Sequence, residues 1–515
     1  MIIIRNKIIY IFIVIMTVMM LCLTTYSENI IMARSKDDEL NSNKIKAPFY
    51  PWDNELPNIE TPEGFQWREF QGTTLNFVVE NNINANILSR ECRNFTEKTG
   101  IRVNIRPMDY STMINKINND FISERAKFQL VYVDPYQTLN RFHNNLEDLN
   151  LYNNDPRMPH IPGGMEDFFD DQVNILSYFG DKTKLCAIPF DTTTMIFFYR
   201  KDIFEKYREQ FMAENGFDWT PGQKDFTWER YCIVSKWIDE NVPDEEVKYG
   251  SAQMAQLHNS VYCDFSNVLE SYGGDYFDDP YVNTLGVEKP KMVSIKNNNL
   301  EDGLSMYKQM VEVGAPDSIN WNWTDTAEAF KNGEIAMMAN WDENGAVVEN
   351  PNLSKVAGKV GYSILPYGNV RSANIYGGAG IGINSNASEI EKKAAWLFIV
   401  WATAPQTQSM VLWEPEGGSM PPRKSVYNSK DVQDIIENVK SNTNEISNLN
   451  HLPALLEVWK EENVYFRSKI SNFYFVEQII INNVRDMVKN DLDPKVVADK
   501  IFKELSLLQL RAGIK

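Results

Sequence analysis

An aromatic side chain and two polar side chains stand together at the end of a short apolar run. The run, Ile335 to Ala339, has the length and composition of a buried strand. It leads directly into Asn340, Trp341 and Asp342. A flat indole ring can cover the apolar C–H face of a sugar-like solute, while an amide and a carboxylate bond to its hydroxyls. The sequence therefore predicts a ligand-binding position at this strand end.

The elements that would position these residues alternate between helices and strands. A short amphipathic helix that closes at Gly333 precedes the apolar run. Earlier in the chain, residues 74–79, 101–105 and 128–133 are predicted strands separated by predicted helices. This βαβαβ order predicts a parallel sheet with helices on both faces. Ligands of such sheets bind at the carboxyl ends of the strands.

Length and charge restrict the class of protein. At 515 residues the chain exceeds what one hydrophobic core normally supports, which predicts two or more lobes. With 51 Lys+Arg against 70 Asp+Glu, the formal charge of −19 argues against nucleic acid or an anionic membrane surface as partner.

Metal and nucleotide motifs are missing from the sequence. It has four histidines, none in HExxH, and the glycines after Tyr376 do not match GxGxxG. We therefore predict no metal site, no cofactor and no catalytic residue. Four scattered cysteines are predicted to be buried thiols, with disulfides as the open alternative: Cys92, Cys186, Cys232 and Cys263.

The N-terminal residues resemble an export signal. Arg5 and Lys7 precede an apolar run from Ile8 to Leu23. Residues 1–28 are therefore predicted to be a signal peptide or an uncleaved anchor, and Cys22 is a candidate lipidation site. A polar, proline-interrupted linker is predicted over residues 29–71. The expected location is the periplasm or the outer face of the cytoplasmic membrane.

Several short motifs, taken in their order along the chain, resemble those of the extracellular solute-binding proteins of the maltose-binding type. These proteins are the substrate receptors of ABC importers. The resemblance spans about residues 72–510, and the matching stretches are Glu80–Asn81, Leu130–Asp134, Ile188–Thr192, Tyr199–Phe204, Ser271–Asp275, Phe330–Met338, Val360–Pro366, Tyr376–Gly378 and Pro421–Tyr427.

The resemblance implies an α/β, two-lobed periplasmic-binding-protein-like fold of type II, with lobes joined by hinge crossings. It places the crossings near 189–191, 339–341 and 375–378. Lobe one would then comprise 72–190 plus 340–376, and lobe two 191–339 plus 377–515.

The resemblance also implies ligand contacts at strand ends, crossings and one loop. Two departures from the family pattern stand out: Ala379 replaces a frequent tryptophan, and Pro422 replaces a frequent threonine. The implied ligand-binding residues are Glu80, Asn81, Asp134, Tyr136, Asp191, Trp341, Asp342, Gly377, Gly378 and Arg423.

The expected function is capture of a small hydroxyl-rich solute, a sugar or oligosaccharide, by a monomer that delivers it to an ABC permease in the membrane. The rival hypothesis is a secreted glycoside hydrolase that uses a carboxylate pair. A receptor that presents its solute to a sensor would share the same fold. The order of elements does not match a (β/α)8 barrel, and no GxSxG motif is present, which favours binding over catalysis.

Overall fold

A computed structural model describes residues 59–277, 279–290, 299–414, 420–441 and 447–512. The strands are β1 Thr74–Glu80, β2 Arg102–Met108, β3 Leu130–Val133, β4 Ile188–Asp191, β5 Met195–Arg200, β6 Tyr249–Ser251, β7 Ile335–Trp341, β8 Val360–Ser363, β9 Asn374–Ile375, β10 Ala379–Ile383 and β11 Val464–Tyr465. The α-helices are α1 Ile83–Thr99, α2 Tyr110–Ser123, α3 Asn140–Phe142, α4 Asn150–Asn153, α5 Asp170–Ser177, α6 Lys201–Asn215, α7 Trp228–Asn241, α8 Asn259–Ser271, α9 Asn299–Val313, α10 Trp323–Lys331, α11 Asn344–Val348, α12 Glu389–Ala402, α13 Pro405–Leu412, α14 Lys424–Tyr427, α15 Lys430–Lys440, α16 Leu452–Val458, α17 Phe473–Asn490 and α18 Pro494–Ala512.

The first sheet has the strand order β2-β1-β3-β10-β4. Strand β1 pairs in parallel with β2 and β3, as the βαβαβ order predicts, whereas β10 runs antiparallel to β3 and β4. Helix α1 connects β1 to β2. Its N-cap is Asn82, whose side chain accepts a hydrogen bond from the Ala85 N–H, and its C-cap is Gly100, with φ of 72°.

The second sheet has the order β6-β7-β5-β8. Strand β5 pairs antiparallel with β7 and β8, and β6 pairs in parallel with β7. Every residue of β7 is buried, which explains why its sequence is a continuous apolar run rather than an alternating one. Strand β7 extends through Asn340 and Trp341, so Asp342 and Glu343 are the first residues after the strand.

Each sheet has its own hydrophobic core. The core of the first sheet draws on residues 59–190 and 379–404. The cores on the two faces of the second sheet draw mainly on residues 195–375 and 420–505. The chain therefore contains two lobes, and it passes between them at 192–194, at 376–378 and between residues 404 and 420.

The strand pairing differs from the division of the chain that the family resemblance implies. Strand β8, in segment 340–376, lies in the second sheet, and β10, in segment 377–515, lies in the first. At these two strands the structure therefore places each segment in the lobe opposite to the one that the resemblance implies. The chain does not leave the second lobe at 339–341, because β7 is followed by α11 and then by β8 in the same sheet. Strand pairing depends on contacts far apart in sequence, which local motifs do not determine.

The three connecting segments are hydrogen-bonded to one another. The Thr192 hydroxyl donates to the Met420 carbonyl at 2.5 Å. The Gly377 N–H donates to the Thr193 carbonyl at 2.7 Å, and Thr194 pairs with Tyr376 as an antiparallel bridge. The junction between the lobes is therefore one compact group of extended segments, the arrangement that allows hinge closure.

The four cysteines of the described ranges are buried free thiols, as expected for small apolar side chains. None of the helices that the structure describes is long and apolar enough to cross a membrane. The apolar run Ile8–Leu23, with Cys22, lies outside the described residues.

Candidate ligand-binding site

Carboxyl groups from both sheets meet at the junction between the lobes. Strands β1, β3 and β4 end at the same edge of the first sheet because they run in the same direction. The crossing at 192–194 brings the end of β7 to this edge, since Thr193 and Thr194 contact the residue after β7. We call the resulting group the acid cluster: Glu80, Asp134, Asp191, Asp342 and Glu343.

Two members of the cluster from the first sheet share one tyrosine. The Tyr132 hydroxyl donates to Asp191 Oδ2 at 3.0 Å and lies 3.5 Å from Glu80 Oε2. Asn82 Nδ2 donates to the same oxygen of Asp191 at 2.8 Å. Asp191 is fully buried, whereas Glu80 is half-buried. Asp191 is therefore held rigidly, and Glu80 retains a surface that a solute can contact.

Asp342 is anchored by the first crossing through one oxygen only. Its Oδ1 accepts hydrogen bonds from the Thr194 N–H at 2.5 Å and from the Thr193 hydroxyl at 3.0 Å. Its Oδ2 is buried and has no hydrogen-bond partner within the described ranges. A buried acceptor left unpaired is costly, so this oxygen is a candidate contact for a bound solute.

Burial and mutual repulsion raise the pKa values of Glu80, Asp342 and Glu343. Burial, followed by the charges of Asp191 and Asp134, raises the pKa of Glu80 to about 8. Burial raises the pKa of Asp342 to about 7. Burial, followed by the charge of Asp191, raises the pKa of Glu343 well above its usual range. Carboxyls that retain a proton near neutral pH can donate as well as accept hydrogen bonds, which suits a ligand that carries hydroxyl groups.

The glycines of the second crossing allow the backbone to approach the cluster closely. A Cβ at Gly378 would lie 2.5 Å from the Asp191 carbonyl oxygen, and this residue has φ of +92°. A Cβ at Gly377 would lie 3.2 Å from Cζ3 of Trp341. The Trp341 side chain is 8% exposed and meets Trp323 edge-on at 6.3 Å. The indole is thus placed beside the crossing, next to Asp342.

Two implied contacts of the first lobe are engaged within the protein. Asp134 Oδ1 accepts from the N–H groups of Tyr136 and Gln137, both at 2.8 Å, and caps the turn that follows β3. The Tyr136 ring is fully buried, 4.1 Å from the Arg467 guanidinium carbon and 5.5 Å from the Phe473 ring. These contacts join the first lobe to the second. Asn81, by contrast, is exposed.

Arg423 is engaged away from the acid cluster. Its Nη1 lies 3.0 Å from Asp167 Oδ2, and its Nε donates to the Thr403 carbonyl at 2.7 Å. The guanidinium carbon lies 4.0 Å from the centre of the Phe168 ring, and the side chain is fully buried. The structure therefore brings together Glu80, Asp191, Trp341, Asp342 and the paired glycines, but it does not bring Arg423 to them.

Sequence reasoning missed several residues that the structure adds to the site. Glu343 follows Asp342 directly, so its proximity was visible in the sequence. Thr193 belongs to the threonine run after Asp191, and a hydroxyl beside a carboxylate is a natural hydrogen-bond partner. Tyr132 lies inside the buried strand β3, and only the tertiary structure shows that its hydroxyl reaches Asp191. Within the described ranges, no group of side chains is arranged to hold a metal ion.

The sequence model of a family described as bacterial extracellular solute-binding protein matches residues 92–439, well over half of the chain. The chain belongs to this family. Among curated proteins, a probable amino-acid ABC transporter periplasmic-binding protein of Sinorhizobium fredii is 24% identical over 315 residues, covering 61% of this chain and 64% of that protein. A probable ABC transporter-binding protein of Deinococcus radiodurans is 23% identical, covering 48% and 54%. The chain thus spans less than two thirds of the length of these relatives.

Solved structures show the same fold. Maltose-bound MalE3 of T. maritima superposes with a TM-score of 0.69 at 23% identity, covering 85% of this chain and 100% of that one. A solute-binding protein of Agrobacterium radiobacter K84 in complex with ribitol gives a TM-score of 0.68 at 22% identity, covering 85% and 99%. The predicted two-lobed periplasmic solute-binding fold is therefore confirmed. The family and these neighbours are binding proteins.

Proposed function

We propose that this protein captures a sugar or polyol between its two lobes and delivers it to an ABC importer. The observation that carries the proposal is the acid cluster, which combines Glu80 and Asp191 of the first lobe with Asp342 of the second. A solute that contacts both lobes binds the closed form better than the open form and therefore shifts the population toward closure.

The chemistry of the cluster supports a hydroxyl-rich ligand. Carboxyl oxygens pair with hydroxyl groups, and Trp341 provides an apolar ring beside Asp342. The neighbours with this fold bind ribitol and maltose, and a further one, from Agrobacterium vitis S4 (TM-score 0.66), binds D-mannitol. These three compounds form a natural first panel of ligands.

Thermal denaturation in the presence of ribitol, mannitol and maltose tests the proposal, with sodium sulfate at equal concentration as a control for non-specific stabilisation. A ligand at 100 times its dissociation constant stabilises the folded state by about 2.7 kcal/mol. We expect at least one of these compounds to raise the melting temperature and sulfate, an anion that the acid cluster repels, to leave it unchanged. If neither these compounds nor a set of oligosaccharides raised the melting temperature selectively, the proposal would be contradicted.

We further propose that the protein acts as an exported monomer without catalytic turnover. The family supports export, and Cys22 is the position for a lipid anchor that would hold the protein near its permease. Mass spectrometry of the mature N-terminus distinguishes a lipidated Cys22 from a cleaved or an intact signal.

The raised pKa of Glu80 is the observation that favours a glycoside hydrolase instead, since such enzymes use a carboxyl that stays protonated as general acid. Incubation of the protein with the saccharide that it binds most tightly, followed by chromatography, separates the two functions. We expect no product. Multiple turnovers would establish the hydrolase.

A further inference from the structure

We infer that the natural solute carries a cationic amine beside its hydroxyl groups, and that the end of the acid cluster around Asp342 and Glu343 binds that amine. This inference rests on the proposed function and specifies the chemical class of the ligand.

The first argument is the distribution of charge. The charges that act on the Glu343 carboxyl are those of three other acids, Asp191, Glu80 and Asp342. The cation that acts on Glu80 and Asp134 is Arg467, whose guanidinium lies over the Tyr136 ring and is not among the charges that act on Glu343. A ligand that carries positive charge is therefore attracted to the Asp342–Glu343 end and favours the ionised form of its carboxyls. A neutral sugar offers no such compensation and leaves these carboxyls protonated.

The second argument is a pair of buried polar atoms without partners. Asp342 Oδ2 and the Tyr376 hydroxyl are both buried and have no hydrogen-bond partner in the part of the chain that the structure describes. They belong to one site, because Tyr376 pairs with Thr194, whose N–H donates to the other oxygen of Asp342. A Cβ at Gly378 would lie 3.3 Å from the Tyr376 hydroxyl and 2.5 Å from the Asp191 carbonyl oxygen. An unpaired buried polar atom typically costs about 1–3 kcal/mol. An ammonium has three donors and no acceptor, which suits a surface made mainly of acceptors.

A metal ion fits these residues less well. Within the described ranges no set of three or more ligating side chains is arranged for one, whereas an ammonium needs only hydrogen-bond acceptors. The raised carboxyl pKa values, about 7 for Asp342 and about 8 for Glu80, have a consequence for binding. A bound cation favours the ionised carboxyls, so binding of the amine releases protons and strengthens as the pH rises through these values, as long as the amine itself stays protonated. The other titratable groups around the cluster are Tyr110, Tyr132, Asp134, Tyr376, Tyr427 and Arg467.

Calorimetry on the full chain with matched neutral and amine-bearing compounds tests the inference. The pairs are sorbitol with glucamine, glucose with glucosamine, and diacetylchitobiose with its deacetylated form. We expect the amine to bind at least about ten-fold more tightly in one or more pairs, with proton release that makes the apparent heat depend on the buffer. Neutral compounds that bind as tightly as their amine partners would overturn the amine inference and leave the proposed function intact. Binding of none of the six contradicts both.

Glu343→Gln supplies the matched variant. We expect this variant to bind the amine-bearing compound about ten-fold more weakly, because a hydrogen bond to a charged group is lost. Its affinity for the matched neutral compound should change by less than about two-fold. Glu240→Gln removes the same formal charge from an exposed helix position, where the Glu240 side chain is 61% exposed, and we expect it to change neither affinity. Equal weakening in both variants, or equal weakening of both ligands by Glu343→Gln, would refute the assignment. Thermal melting of both variants verifies folding.

Discussion

Replacement of Asp342 by asparagine tests the energetic cost of the buried carboxyl. Burial raises the pKa of Asp342 from 3.8 to about 7. Below about pH 4 the group is protonated in the folded and unfolded chain alike. Between about pH 4 and 7 the unfolded chain ionises while the folded chain retains its proton, so the free energy of unfolding falls by about 1.4 kcal/mol per pH unit. Above about pH 7 the loss stays constant, at an upper limit of about 4 kcal/mol.

Asparagine keeps the shape of the side chain and carries no charge. Its amide oxygen can still accept from the Thr194 N–H and the Thr193 hydroxyl, so the variant should match the wild type near pH 4. At pH 8 we expect the variant to be more stable by up to about 4 kcal/mol. Urea denaturation followed by tryptophan fluorescence across this pH range measures the difference.

Asp155→Asn is the control of opposite sign. The hydrogen bond from Arg157 lowers the pKa of Asp155 to about 2. The ionised Asp155 therefore stabilises the folded protein above the pKa that this group has in the unfolded chain, and the stabilisation is lost as the pH falls through the pKa in the folded protein. Asp155→Asn should be less stable than the wild type at pH 8 and should approach the wild type at low pH. A difference between wild type and Asp342→Asn that is the same at pH 4 and pH 8 would refute the account of the buried charge.

Three further outcomes are expected. Trp341→Ala should weaken solute binding by about 1–3 kcal/mol, by analogy with other stacking rings, and should also lower the melting temperature, because the indole is part of the buried core. Calorimetry that shows unchanged affinity in a variant that still folds removes Trp341 from the site. Gly378→Ala should destabilise the fold by about 3 kcal/mol or more, because its Cβ meets a backbone oxygen at 2.5 Å. Gly216→Ala is the control, since Gly216 also has a positive φ, of +74°, but its added Cβ would have no atom within 4 Å. This variant should lose only about 1 kcal/mol of stability. Equal losses of stability in the two variants on urea denaturation would contradict the steric argument. Small-angle scattering should show a smaller radius of gyration when the tightest-binding sugar saturates the protein, and an unchanged profile would exclude lobe closure.

Local physical chemistry made much of the secondary structure predictable. The periodicity of α1, the left-handed Gly100 at its end and the Ser388–Glu391 capping box of α12 depend on residues a few positions apart. The continuous apolar run of β7 indicates a strand buried on both faces, which the structure shows. The strand-end position of Trp341 and Asp342 followed from that run.

The tertiary structure decided what depends on residues distant in sequence. Strands β8 and β10 belong to opposite sheets because of their pairing with β5 and β3, a choice that no local pattern specifies. Arg423 is engaged by Asp167, 256 residues earlier in the chain. The sequence by itself determined which residues can form helices, strands and polar strand ends, since these depend on neighbours along the chain. The tertiary structure decided which carboxyls share one buried site, because burial and repulsion act through space.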